Sequence, residues 1–377
     1  MNILVIGNGF DLAHGLKTKY EDFLKFTQTY LEYDEAYRKK PEIKEELESL
    51  IKDNLWLEYF YSIYESRKQE GKDGWIDFES EISQVIQVLD AYNLDIENGI
   101  REGKYKVPLN QRGIDILKPF IMGRDKGIGA YMFHLGKDFI NRKKRELLTD
   151  LKRLIRCLEI YLCEFVTIDD VKKLYDITNL PIIDKVISFN YTDTYEKIYK
   201  TDSRIEFDYI HGKADVNKTV ETNNMVLGVD EYLQGGDRNQ DIEFIEFKKY
   251  FQRIHKETGC EYRKWLKEME KGTIYQWEIT DKRGDEVISC ALRETDFHKI
   301  FFYGHSLDIT DKDIIRALIL AQRTHTTIYY LDKEDYARKI TNLVKIIGQD
   351  ELISRTGGVD RSIFFKEITR EGKGKDL

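Results

Sequence analysis

Four short clusters hold the residues best suited to chemistry, and each follows an apolar, β-type run. The first is Gly7-Asn8-Gly9-Phe10-Asp11, after Ile3 to Ile6. Glycines there let backbone N–H groups approach a phosphate with no Cβ in the way. The Asp11 carboxylate suits ribose hydroxyls better than phosphates. The spacing departs from G-x-G-x-x-G, because Gly15 comes six residues after Gly9. A plain strand-to-loop turn that needs positive φ explains the glycines equally well. The second cluster is Ser188-Phe189-Asn190-Tyr191-Thr192-Asp193. Asn190 carries both donors and an acceptor and can orient a water or a hydroxyl. Thr192 or Asp193 is placed to cap the helix that runs through Tyr195 and Ile198.

The third cluster, Ile210-His211-Gly212, offers an imidazole that exchanges protons near neutral pH, with Gly212 leaving space beside it. The fourth is Tyr303-Gly304-His305-Ser306-Leu307-Asp308, followed by Asp311. It is no serine-nucleophile elbow, because Asp308 stands where G-x-S-x-G needs its second glycine. Ser306 is therefore read as a hydroxyl that binds ribose or phosphate. Asp308, Asp311 and Asp313 could hold a metal, but a helix start rich in Asp is explained by the helix dipole. His134, His255, His298 and His325 lie in charged surroundings and are read as non-catalytic.

These clusters need a scaffold that gathers strand ends. Strand-type runs occur at Ile3 to Ile6, Lys185 to Phe189, Ile205 to Ile210, Met225 to Leu227, Lys299 to Tyr303 and Thr326 to Leu331. A helix over Asp311 to Thr324, with Ile314, Ile315, Leu318 and Ile319 on one face, separates the last two. Strand, helix, strand in succession imply right-handed crossovers and a parallel sheet. In such sheets ligands bind at the carboxyl ends of the strands. Residues 333–347 read as a further helix and 242–270 as a helical excursion. After Gly9 a loop is expected to Thr18, where Thr18 and Glu21 form a capping box. Between residues 30 and 179 helical periodicity dominates, as in Phe78, Ile82, Val85, Ile86 and Leu89. Residues 99–129 look loop-rich, and the tail from Lys366 solvated. The expectation is an α/β fold: a Rossmann-like, mainly parallel sheet flanked by helices, from residues 1–29 and 180–377, with 30–179 a large helical insertion.

Composition narrows the function. Asp and Glu number 68 against 60 Lys and Arg, so the chain lacks the overall positive charge of a sequence-independent nucleic-acid binder. Four scattered cysteines without a C-x-x-C pair speak against a zinc ribbon or a disulfide framework. No basic leader and no apolar stretch of bilayer length is visible, so a cytoplasmic protein without membrane contact is expected.

In this order the clusters resemble the phage abortive-infection AbiH family. Gly7-Asn8-Gly9-Phe10-Asp11-Leu12-Ala13-His14-Gly15-Leu16, with Tyr20 and Phe23, is similar to that family's opening signature. Phe189-Asn190-Tyr191-Thr192, Ile210-His211-Gly212, Leu227-Gly228-Val229-Asp230 and Gly304-His305-Ser306-Leu307 match its later blocks. The family is similar, more distantly, to sirtuin-type NAD-binding folds. That resemblance implies catalytic roles for Asn190 and His211. It implies cofactor contacts for Gly7, Asn8, Gly9, Phe10, Asp11, Thr192, Gly304, Ser306 and Asp308. Two departures matter: there is no four-Cys zinc module, and Asp11 stands where Ser is usual. They speak against protein deacetylation and leave NAD consumption open. The expected function is an antiphage effector that hydrolyses NAD, its substrate, to nicotinamide and ADP-ribose without a metal. One alternative is a metal-dependent nuclease or nucleotide hydrolase acting through Asp308 and Asp311. The other is a non-catalytic sensor of a nucleotide or phage component. Expected partners are NAD or a related nucleotide, with a phage-derived trigger and a homo-oligomer left open.

Overall fold

Ile3, Leu4, Val5 and Ile6 are almost wholly buried and alternate between two cores. Ile3 and Val5 enter one, Leu4 and Ile6 the other, as the two-residue period of a strand requires. A strand buried on both faces belongs inside a parallel sheet, and this one does. The computed structural model describes residues 1–32, 43–70, 76–102, 109–122, 136–168, 171–200, 203–233, 242–271, 274–280, 286–292, 297–359 and 361–369. They divide into two compact units: residues 1–16, 168–210 and 259–377, and residues 17–167 and 211–258.

The first unit is the sheet. Its strands are β1 (Asn2–Ile6), β2 (Lys185–Ser188), β3 (Glu206–Tyr209), β4 (Ile274–Thr280), β5 (Glu286–Leu292), β6 (His298–Tyr303), β7 (Thr324–Tyr330) and β8 (Ile363–Glu367). Six of them form one all-parallel sheet in the order β3-β2-β1-β6-β7-β8. β4 and β5 pair antiparallel on their own. One face of the sheet packs Ile3, Val5, Ile187, Ile300 and Phe302 against the helices Lys312–Ile319 and Lys333–Ile347, through Ile315, Leu318, Leu343 and Ile346. The other packs Leu4, Ile6, Val186 and Tyr303 against Phe10, Tyr195 and Tyr199. The result is a three-layer, Rossmann-like α/β unit. Strand order reverses at β1, so the ends of β1 and β6 lie at the switch point of the sheet.

The second unit is helical. The long helix Lys137–Glu164 packs against the helices Tyr20–Glu32, Lys44–Ile51, Leu55–Gln69 and Phe78–Arg101. Trp56 Nε1 donates to Leu147 O at 2.8 Å, and Phe60 stacks on Phe78 with ring centroids 4.0 Å apart. Residues 17–29 go with this unit because Phe23 and Phe26 lie against Tyr161. Residues 211–258 go with it as well. Lys249 pairs with Glu79 at 2.7 Å and Lys144 with Glu243 at 3.0 Å, and Arg156 donates to the carbonyl of Val216 at 3.1 Å. The unit is thus larger than the 30–179 insertion expected from periodicity.

Several local expectations need correction. A helix, Asn8–Ala13, starts directly after Gly7 where a loop was expected. The helix Gln111–Met122 runs through the segment read as loop-rich, Pro119 included, because Leu117 and Phe120 have a core to enter. Met225 to Leu227 is buried but joins no described strand; its apolar character serves the helical unit. β8 lies where the solvated tail was placed to begin, anchored by the fully buried Ile363. His134 and the tail beyond Thr369 lie outside the described residues.

Asn54 shows how sequence and packing cooperate in the helical unit. Its side chain caps the Leu55–Gln69 helix, accepting from Trp56 N and Leu57 N, and donates to Asp150 O at 3.0 Å. Asn54→Ala is expected to lower stability by about 2 kcal/mol, since it removes a cap and orphans a buried carbonyl. Urea unfolding followed by far-UV circular dichroism checks this.

Candidate functional site

Backbone contact builds the site first. Gly7 N donates to Tyr303 O at 3.2 Å, and Gly9 N to Gly304 O at 2.8 Å. A Cβ on Gly9 would lie 2.8 Å from Gly304 Cα, and one on Gly304 would lie 2.1 Å from Phe10 N. Gly304 also has φ +67, a region that favours glycine. The glycines after β1 and β6 therefore let two chain turns meet backbone to backbone. The space where a phosphate was expected to approach Gly9 on its Cβ side is taken by Gly304.

On this base sits a buried polar cluster. Thr192 Oγ1 donates to Asp11 Oδ2 at 2.5 Å, and Thr194 Oγ1 donates to Thr192 Oγ1 at 3.1 Å. Asn190 Nδ2 donates to Gly7 O at 3.1 Å, while Asn190 N donates to Ser188 Oγ at 3.2 Å. Asp11 is 1% exposed and Asn190 5%. Burial pushes the Asp11 carboxyl up to about 6; the side chains of Thr192, Thr194 and Asn190 draw it back, and the charge of Asp193 adds to the rise. One oxygen of each side chain, Asp11 Oδ1 and Asn190 Oδ1, is buried without a hydrogen-bond partner in the protein. Such orphans are uncommon in folded proteins.

The remaining residues singled out from the sequence fall in distinct places. Asn8 is exposed on the first turn of its helix. The Phe10 ring lies fully in the core, 6.1 Å from Tyr303. Thr192 spends its hydroxyl on Asp11 and does not cap the Thr194–Tyr199 helix. Asp193 stands at that N-cap without a side-chain cap bond and pairs with Lys197 at 2.9 Å. Ser306 is exposed, and its carbonyl accepts from Asn342 Nδ2 at 3.1 Å. Asp308 caps the following turn, accepting from Thr310 N at 3.0 Å. His211 is buried and opens the second stretch of the helical unit, where its carbonyl accepts from Val226 N at 2.8 Å. Gly212, at φ +78, does not make room beside the imidazole. A Cβ there would lie 2.1 Å from Asn224 O, so the close approach of that turn accounts for the glycine. Lys256 Nζ clamps the turn by donating to Asn223 Oδ1 at 2.9 Å, and burial lowers its pKa to about 8.

Two histidines were passed over. His14 bonds Phe10 O at 2.7 Å and Tyr199 Oη at 2.8 Å, and so anchors the short helix that carries Asp11. His305 Nδ1 accepts from Leu307 N at 2.9 Å, and Nε2 lies 3.6 Å from Asp311 Oδ2. Its ring packs edge-on against Phe189, next in the chain to Asn190, with centroids 4.2 Å apart. The signal for both was position: His305 lies inside a strand-end cluster and His14 three residues beyond one. Among the described residues no group of three or more His, Cys, Asp or Glu is placed to hold a metal. No described helix is long and apolar enough to cross a membrane.

A doubly wound parallel sheet with an acid, an amide and two hydroxyls gathered at its switch point defines an α/β protein with a candidate small-molecule site. The chain belongs to the bacteriophage abortive infection AbiH family, which it matches over residues 3–331. That membership points to phage abortive-infection defence. No curated protein matches the chain.

The Asp11 environment has a measurable consequence. Its folded pKa lies above the ordinary 3.8. Its contribution to stability is therefore whole below about pH 4 and lost as pH rises through about 6. Across that window the wild type should lose about 3 kcal/mol relative to Asp11→Asn, which carries no titrating group there. Urea unfolding of both proteins over the window checks the sign.

Proposed function

We propose that this protein acts in abortive infection by hydrolysing NAD to nicotinamide and ADP-ribose. The observation that carries the reading is the cluster at the end of β1. There Asn190 is bonded to Gly7 and Thr192 to Asp11, at the point of the sheet where nucleotides bind in related architectures. The likeness of the motifs to sirtuin-type NAD sites supports it. Asn190 orients water and ribose. His211 serves as general base, a role worth about 10²–10⁴-fold in rate. The reaction passes through an oxocarbenium-like ribose, as in glycoside cleavage. Holding water and sugar in register supplies a further part of the acceleration. The nucleotide is the substrate, and no step calls for a metal. The helical unit is suited to sensing a phage-derived trigger or to assembly, which keeps the enzyme silent in a healthy cell.

Purified full-length protein with NAD, chelator present, tests this. Asn190→Ala and His211→Ala should each abolish NAD loss and toxicity while leaving the fold intact by circular dichroism. Asp308→Ala should weaken activity less, because Asp308 serves as a turn cap. Degradation of nucleic acid only with magnesium, with NAD untouched, would establish a nuclease instead. Nucleotide binding without turnover under any trigger would establish a sensor.

A further inference from the structure

Asp11 Oδ1 and Asn190 Oδ1 are both buried hydrogen-bond acceptors with no hydrogen-bond partner in the protein. The two side chains are neighbours, since Asn190 acts on the Asp11 carboxyl. Asp11 Oδ2 is already committed to Thr192, and Asn190 Nδ2 gives one of its two hydrogens to Gly7 O and favours the charged form of Asp11. What satisfies two adjacent acceptors is a group with two donors. A water molecule has them; a phosphate or a carbonyl oxygen has none, and an anion would meet the carboxylate as a like charge.

Resting on the NAD reading, we infer that Asp11 and Asn190 hold the attacking water between their Oδ1 atoms, and that Asp11 is its proton acceptor. The water oxygen bonds ribose C1′ as the C1′–N bond breaks. The electron pair of that bond leaves on the nicotinamide nitrogen. The water proton passes to Asp11 Oδ1 and then to solvent. Thr192, backed by Thr194, keeps Asp11 Oδ2 occupied and so aims Oδ1. Among the described residues, Asp193 and the Tyr209 phenol couple to the Asp11 charge, and neither is a cation. A carboxylate of this kind titrates close to neutrality, where a general base works best.

Steady-state NAD hydrolysis by the full chain, followed across the acid-to-neutral range, tests the assignment. Asp11→Asn should lower kcat by about 10²–10⁴-fold, leave KM within a few-fold and erase the acid limb of the pH profile. It should melt no lower than the wild type. Thr192→Val removes a donor to the charged form, so it should move the limb to higher pH. A merely structural Asp11 would lose activity in step with melting temperature and leave the limb in place, which overturns the proposal. Wild-type kcat in Asp11→Asn overturns it as well. If the wild type leaves NAD intact, the NAD reading fails, and a crystal structure of the free protein decides the water site. A water within hydrogen-bond distance of both Oδ1 atoms supports it. A direct bond from a protonated Asp11 to Asn190 Oδ1 overturns it.

Discussion

Everything at the switch point depends on two chain turns meeting without side chains between them. Gly9 N reaches Gly304 O at 2.8 Å, and a Cβ on Gly304 would lie 2.1 Å from Phe10 N. That contact fixes where the short helix after β1 begins, and with it the direction of Asp11. The same helix is tied at its far end by His14, which bonds Phe10 O and the Tyr199 hydroxyl. Asn190 completes the frame by donating to Gly7 O. Apart from the His14–Phe10 bond, these ties join residues distant in sequence, so the acid and the amide are positioned by the whole sheet unit and not by a local loop. A site held on rigid strand ends keeps its geometry without a ligand.

The turn after β6 is held with similar redundancy. Gly304 and Leu307 both have positive φ, at +67 and +55. For Leu307 this conformation costs free energy and persists only where the surroundings impose it. They do: His305 Nδ1 takes the Leu307 N–H, Lys339 Nζ donates to His305 O at 2.6 Å, and Asn342 holds Ser306 O. Because Nδ1 accepts, the neutral ring carries its proton on Nε2, facing Asp311. The strained turn is what presents the flat backbone on which Gly9 rests.

Much of this frame was legible from residue types. The runs at Ile3, Lys185, Lys299 and Thr326 are strands because their apolar residues have a core on each face. The same rule misread Met225 to Leu227, since an apolar run looks alike whether it pairs with a strand or lies buried beside helices. It also missed β8, where Arg361, Lys366 and Glu367 dilute a strand with only Ile363 fully buried. Gly7, Asp11, Asn190 and Thr192 were visible as polar residues at strand ends. Their partnerships were not: the Thr192–Asp11 bond spans 181 residues. Nor was the reason for the glycines, which lies in chains that meet only in the folded state. His305 was hidden for a related reason. Its neighbours Ser306 and Asp308 match a binding motif more readily, but one proves exposed and the other a cap.

The chain buries carboxylates in two ways, and the contrast bears on what Asp11 is for. In the helical unit several buried or half-buried acids meet a cation: Glu159 meets Arg156 at 2.7 Å, Glu231 meets Lys248 at 2.9 Å and Glu79 meets Lys249 at 2.7 Å, while Asp90 accepts from the Tyr232 hydroxyl at 2.7 Å. Such ion pairs offset the loss of water with a full opposite charge. Asp11 is almost wholly buried as well, yet the groups that act on it most strongly are hydroxyls, an amide and the like charge of Asp193. A cation would hold its carboxyl ionised and inert as a base at every physiological pH. Hydroxyl donors stabilise the ion only in part, so its proton affinity stays near neutrality. That proton affinity is what the inferred role of Asp11 as a proton acceptor calls for.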